Sequence, residues 1–317
     1  MKYTWILLFI LLSMMTGCTS KSDHLLELID RHNQLVEKSL NQLKSSLDTG
    51  KLSNGVLLKD YAQQLKSSQP ALGSLLDNLA LNATPGGPLF QSLQERLNAT
   101  RSMPTDSVEQ LEDKLSELGN INEAAHLQTF NDALSDPVNV VADLSNGVLP
   151  RIKSVDKKTE QKLNRSENFG AGSQLIGNPS YGQWVTGSNG LSFWEWYGIY
   201  ALFSDLGGGR RYSYSRWSSY RPYSYYHDYG RHRYTKPSTY KSQNRLQSKT
   251  AKSFRQQGKK FNSPYAKQRS GASQLAKTSK SRPSSGSFRQ ASSYRSSASS
   301  SSRRGSSRTS RGPRRGK

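Results

Sequence analysis

Leu26, Ile29, Val36, Leu40, Leu43 and Leu47 recur at alternating three- and four-residue steps, with Asn33 at the remaining inner position, and this spacing predicts one face of a helix. Leu25, Leu28 and Leu35 widen the stripe, which suits a helix bundle better than a two-stranded coiled coil, and Gly50 is the expected stop. Breakers and apolar runs then alternate. Pro70 precedes Leu72, Leu75, Leu76 and Leu79, and Gly86-Gly87-Pro88 precedes Leu89, Leu93 and Leu97. Asp106 with Glu109 reads as a capping box before Leu111, Leu115 and Leu118, with Gly119 as the C-terminal cap. Segments 121–134 and 137–163 follow, with Pro137 and Pro150 as breaks. The polar positions are largely Ser, Asn and Gln, so a domain of moderate stability is expected. One hexapeptide occurs twice, Leu52-Ser-Asn-Gly-Val-Leu57 and Leu144-Ser-Asn-Gly-Val-Leu149. It marks either a duplicated corner or the chance return of a common Asn-Gly turn pair; the flanks do not align, which favours chance.

The periodicity stops at residue 166. Glycines recur at 170, 172, 177, 182, 187 and 190, and the apolar run from Leu191 to Leu206 is too short to span a bilayer and contains Glu195 and Asp205. Trp184, Trp194 and Trp196 fall in this stretch, and Trp and Tyr favour positions with one apolar and one wet side. Either a short interfacial helix places Trp194, Trp196 and Tyr197 at a membrane surface, or the segment folds back onto the helices. The second is preferred, because a chain anchored by lipid has no need of a further anchor.

From Arg210 to Tyr234, 15 of 25 residues are arginine or aromatic, and beyond them Ser, Arg, Lys, Gln and Gly dominate. Such a composition is expected to stay disordered until bound. The expected architecture is therefore an all-α helical bundle at 18–165, a Gly- and aromatic-rich hinge or interfacial segment at 166–209, and a long disordered basic tail at 210–317.

Charge separates the same regions. Residues 19–165 carry 16 basic and 19 acidic residues, 166–228 carry four of each, and 229–317 carry 24 basic and none acidic, so the net charge of +22 arises in the last 89 positions.

Residues 1–17 read as an export signal: Lys2 supplies a charged start, Trp5 to Met15 an apolar run broken only by Ser13, and Met15-Thr16-Gly17 leads to Cys18, the only cysteine. This junction resembles the lipobox of bacterial lipoproteins. The resemblance covers the first 18 residues and implies cleavage before Cys18, a diacylglyceryl group on its sulfur, usually an acylated amine as well, and membrane anchoring through those chains. Thr19, where an aspartate commonly retains such proteins at the inner membrane, implies the outer membrane of a two-membrane cell. The mature chain has no second cysteine with which to form an internal disulfide.

For an exported chain the polyanions within reach of the tail are lipid A phosphate, anionic polysaccharide, phospholipid headgroups, peptidoglycan carboxylates and extracellular DNA. Arg210, Arg211, Arg216, Arg221, Arg231, Arg233, Arg303, Arg304, Arg314 and Arg315 are the candidate contacts. The leucine-rich domain is the candidate surface for a protein partner or self-association. No catalytic residue, metal site or cofactor motif can be nominated. His24, His32, His126, His227 and His232 lack metal-ligand spacing, and Gly207-Gly208-Gly209 lacks the strand before it and the Lys-Ser/Thr after it of a phosphate loop. The expected function is non-enzymatic: anchoring at the envelope and binding of its anionic polymers, with DNA binding or envelope assembly as alternatives. Mass spectrometry of the mature N-terminus is expected to find acylated Cys18 in the outer-membrane fraction, and Cys18→Ala to abolish that fractionation. An unprocessed cytoplasmic chain would overturn the localisation.

Overall fold

The structure, a computed structural model, describes residues 20–152 and 157–265; the signal, the lipobox with Cys18, and the segment holding Arg303, Arg304, Arg314 and Arg315 lie outside the described residues. The chain is mostly helical, with few strands. Helix α1 (Lys21–Asp48) begins at a capping box in which the Ser20 hydroxyl accepts from the Asp23 N–H and the Asp23 carboxylate accepts from the Ser20 N–H. It buries Leu25, Ile29, Val36, Leu40, Leu43 and Leu47. The stripe runs through Leu25 rather than Leu26, so Leu26 and Leu35 stay exposed on the outer face.

Helices α2 (Ser53–Ser68), α3 (Gly73–Ala80), α4 (Pro88–Arg101) and α5 (Val108–Ala125) follow, with single 3-10 turns at Pro70–Leu72 and Leu81–Ala83. The α3 and α4 starts fall where Pro70 and Pro88 place them, Pro88 being the first residue of α4. Gly87 admits no side chain, because a Cβ there would lie 2.1 Å from the Leu81 carbonyl oxygen. The capping box of α5 sits one residue later than Asp106/Glu109: the Ser107 hydroxyl accepts from the Gln110 N–H at 3.3 Å and the Gln110 amide oxygen accepts from the Ser107 N–H at 3.1 Å. Gly119 does not end the helix. It lies buried inside α5, where packing around Leu118 and Ile121 outweighs the roughly 1 kcal/mol that glycine costs against alanine.

α1 packs against α5, and both run in the same sense: Lys21 pairs with Glu112 at 2.8 Å, and Ser39 further along donates to Asn122 at 2.8 Å. α4 packs on α5 through a buried ion pair, Arg96 Nε donating to Glu117 at 2.7 Å. Beyond α5 come α6 (Leu127–Ala133), α7 (Ser135–Leu144) and α8 (Lys157–Asn164). Pro137 lies in the first turn of α7 rather than at a break, and α7, packed on α2 and α3, is buried almost all round.

The repeated hexapeptide adopts two structures. Leu52 caps α2 and the next five residues are helical, whereas Leu144 ends α7 and Asn146 (φ 54°) and Gly147 (φ 92°) form a left-handed turn. Asn54 makes the difference at the first site: its backbone N–H donates to the Asn131 side-chain oxygen at 2.8 Å and its amide to the Asn131 carbonyl at 2.7 Å. A shared sequence with unshared structure is what chance recurrence gives.

Residues 192–196 form a strand, not an interfacial helix. Strands β1 (Gly182–Thr186) and β2 (Ser192–Trp196) make an antiparallel hairpin with Trp184 opposite Trp194. Alternation explains it: Ser192, Trp194 and Trp196 turn inward while Phe193 and Glu195 face out. A 3-10 turn (Gly198–Ala201) and α9 (Leu202–Leu206) follow.

The largest departure is at residues 210–265, expected to be disordered and found folded. They form α10 (Tyr214–Tyr220), a π turn (Tyr226–Gly230) and α11 (Pro237–Gln256). Tyr212, Tyr214, Trp217, Tyr223, Tyr225, Tyr226 and Tyr234 are all buried. Tyrosine carries an aromatic body that buries like an apolar side chain, so counting only aliphatic residues undervalues the segment. Leu43 is fully buried on the α1 stripe; Leu43→Ala is expected to cost about 2–5 kcal/mol of unfolding free energy in a urea titration, against under about 0.5 for the exposed Leu35→Ala.

Candidate functional site

The hairpin is held by its tryptophans. Trp184 lies 5.2 Å from Trp194, 4.9 Å from Tyr214 and 5.1 Å from Trp217 between ring centroids, and Trp194 meets Trp196 edge-on at 5.6 Å. Gly182 lets the strands close, since a Cβ there would lie 2.3 Å from the Glu195 carbonyl oxygen and 2.6 Å from the Trp194 ring. Main-chain bonds tie β2 forward and back: the Trp194 N–H donates to Tyr212 and the Tyr197 N–H to Tyr181, each at 2.9 Å. Below, the Tyr181 hydroxyl donates to the Asn82 side chain at 3.0 Å and the Tyr200 hydroxyl to the Asn78 carbonyl at 3.3 Å, seating the hairpin on the helices.

Buried charges hold the Tyr/Arg segment in place. Asp136, in the first turn of α7, accepts from the N–H of Tyr225 (2.8 Å), the N–H of Tyr226 (3.0 Å) and the hydroxyl of Ser224 (2.9 Å). Burial raises its carboxyl from the ordinary 3.8 to about 6, although those three donors pull the other way. Glu160 accepts from the Tyr223 N–H and pairs with Arg151, and burial raises it too. Arg221 pairs with Asp228 and also donates to the carbonyls of Pro222 and Pro264. His227 donates from Nε2 to the Ile176 carbonyl at 2.7 Å and packs on Trp217.

α11 starts at Pro237 and buries one side chain, Gln243. That amide donates to the Gly177 carbonyl (3.3 Å) and the Tyr226 hydroxyl (3.1 Å) and accepts from Arg231 Nε (2.7 Å). Arg231 is sandwiched by rings, 4.2 Å from the centroid of Tyr240 and 3.5 Å from that of Tyr265. α11 contains five basic residues and no acidic one. Between α11, the hairpin and the start of α4 lies a groove of about 870 Å³. Trp184, Trp194 and Tyr197 line it from the hairpin, Arg245 and Lys249 from α11, and Gln91 from α4.

The arginines nominated from sequence separate into distinct environments. Arg210 and Arg211 are exposed, Arg216 pairs with Glu167 at 2.7 Å, and Arg233 pairs with Glu123 at 3.2 Å. Arg221 and Arg231 are buried in the contacts described above, which withdraws them as polyanion contacts. Trp194 and Trp196, nominated for a membrane surface, are buried among other rings; Tyr197 is exposed. Sequence reasoning missed Asp136, Gln243, Arg245 and Lys249. The last two were signalled by cations at 241, 245 and 249, a helical spacing that follows Pro237. Among the described residues no group of three or more His, Cys, Asp or Glu is placed to hold a metal, and no helix is long and apolar enough to cross a membrane. No family model, curated protein or solved structure matches the chain.

The folded chain holds the Asp136 proton up to about pH 6 while the unfolded chain releases it near 3.8, so between these values the folded state binds more protons and loses stability as pH rises. Relative to Asp136→Asn, the wild type is expected to lose stability from about pH 4 to pH 6 by up to about 1.4 kcal/mol per pH unit, read from urea titrations at each pH. A pH-independent difference would rule out this titration.

Proposed function

We propose that this chain is a non-enzymatic protein anchored at the cell envelope through Cys18, which binds anionic envelope polymers with its C-terminal basic region. One observation carries the reading. Cations from Lys236 onward face no local acid of their own segment, since residues 229–317 contain 24 basic and no acidic residues. The finer architecture belongs to the same proposal: a helical bundle as anchored platform, and the basic segment after Tyr265 as its binding arm. That segment holds 14 basic residues in 52 positions, a density that attracts polyanions through counterion release with little regard for their sequence.

The test is calorimetric binding of the full acylated chain, in neutral detergent, to polymeric alginate at a series of salt concentrations. Log affinity is expected to fall linearly with log salt. Replacing Arg303, Arg304, Arg308, Arg311, Arg314 and Arg315 by Ser is expected to shallow that slope by up to about 4. An unchanged slope, or no binding at low salt, would remove the polyanion reading.

A further inference from the structure

The groove between the hairpin and α11 has the chemistry of a sugar site with a charge requirement. We propose that it binds a carboxylated oligosaccharide, a chain of pyranose rings bearing carboxylates, with rings packed on Trp184 and Tyr197 and carboxylates paired with Arg245 and Lys249. The proposal rests on the polyanion reading above and gives the polymer a place where it is held as sugar as well as charge.

Three features of the groove converge. The first is its aromatic wall. Trp184 is half-buried and set by Trp194, Tyr214 and Trp217 at 4.9–5.2 Å, so its ring is presented without reordering on binding. Tyr197 is 42% exposed and lines the same groove. The C–H face of a pyranose ring is weakly positive and apolar, complementary to the negative face of an aromatic ring.

The second feature is the polar lining. Gln91, Gln183, Ser92, Thr239 and Ser242 bring amides and hydroxyls to the same space, short groups that both donate and accept as sugar hydroxyls do. At about 870 Å³ the groove lies within the range of small-ligand sites and has room for a short oligosaccharide.

The third feature is charge. Lys236 is already met by Glu95 at 2.7 Å, whereas no carboxylate pairs with Arg245 or Lys249 among the described residues. A neutral glycan would leave both cations unused. The chain's own C-terminal segment is excluded as occupant by its sign, since 266–317 holds 14 basic residues and no acid. A single-stranded nucleic acid would use a longer basic track with a run of open aromatic faces for successive bases, whereas this groove offers Trp184 and Tyr197 and, among the described residues, two cations without a paired carboxylate.

The test uses the full chain and intrinsic tryptophan fluorescence, with a β-1,4-mannuronate hexamer as probe, neutral mannohexaose as control and a twelve-residue oligothymidylate as competitor. The hexamer is expected to change the fluorescence saturably and mannohexaose to bind at least tenfold more weakly. Tyr197→Ala and the double substitution Arg245→Ser/Lys249→Ser are each expected to weaken the hexamer about tenfold, or 1.4 kcal/mol. Tyr197→Phe is expected to bind as wild type, which separates loss of the ring from loss of the fold. Arg303, Arg304, Arg308, Arg311, Arg314 and Arg315→Ser is expected to leave the fluorescence response within twofold.

Wild-type hexamer affinity in both groove variants would overturn the groove. If the six-arginine variant then lost binding, the polyanion reading would stand without it. If the wild-type chain bound neither the hexamer nor polymeric alginate, both would fall. Displacement of the hexamer by oligothymidylate at equal or higher affinity would overturn the sugar assignment in favour of a nucleic-acid site.

Discussion

The carboxylate of Asp136 is the point on which the C-terminal half of the fold hangs. It sits at the start of a helix buried on nearly every side, and takes three hydrogen bonds from consecutive residues, Ser224, Tyr225 and Tyr226, about 90 positions along the chain. A buried charge is costly unless its lone pairs are met, and unpaired backbone N–H groups are costly in the same place. Each side therefore removes the other's penalty. Removing the acceptor would leave three donors buried at once, whereas closing a new bond elsewhere would have to order the same loop from the beginning. The helix N-terminus beneath Asp136 also favours negative charge there.

That anchor sets the positions of everything around it. Tyr226 is the last residue of the clamp and shares its hydroxyl with Thr235 (2.5 Å) and the Gln243 amide (3.1 Å), so the clamp reaches α11 in two steps. His227 follows and packs on Trp217, which packs on Trp184 of the hairpin. Gly177 meets both sides: a Cβ there would lie 2.8 Å from His227 and 2.9 Å from Trp217, at a φ of +84° that disfavours any side chain. The two walls of the groove are thus tied to one buried carboxylate, and their spacing is a property of the core rather than of the surface. A site built on such supports presents its rings with little ordering left to do on binding.

The helical half was legible because its signals are local. The α1 stripe, the Pro70 and Pro88 starts and the leucines of α3 and α4 all follow from spacing and from proline's missing N–H. The errors there are small and physical: Ser107 rather than Asp106 caps α5, with the Gln110 side chain accepting from the N–H groups of both, and Gly119 stays helical because its neighbours are buried. The aromatic half was not legible, for a different reason. Its stability depends on pairs far apart in sequence, Asp136 with Tyr225, Glu160 with Tyr223, Arg96 with the Arg233 carbonyl. A segment rich in Arg and Tyr looks disordered when read alone, because the carboxylates and carbonyls that satisfy it lie elsewhere. Of the site, the tryptophans stood out as a group, and the cations at 245 and 249 showed helical spacing. That they share one groove could be known only from the fold.

The same division reshapes the meaning of the charge. Read along the chain, the basic residues after Arg210 form one class; in the structure they form two. Arg221 and Arg231 are spent internally, on Asp228 and on the rings of Tyr240 and Tyr265, and Arg216, Arg233 and Lys236 are matched by Glu167, Glu123 and Glu95. Arg210 and Arg211 stay exposed, and the remaining cations run from α11, without a sign change, through the 52 residues after Tyr265. Under the proposed reading the two parts differ in what they discriminate. A basic segment responds to charge density and releases its ligand as salt rises, while a groove with rings and hydroxyls reads the shape of each residue of a polymer. Joined covalently, each raises the local concentration of ligand for the other, so a weak sugar site and an unselective charged segment together give binding that is both selective and strong.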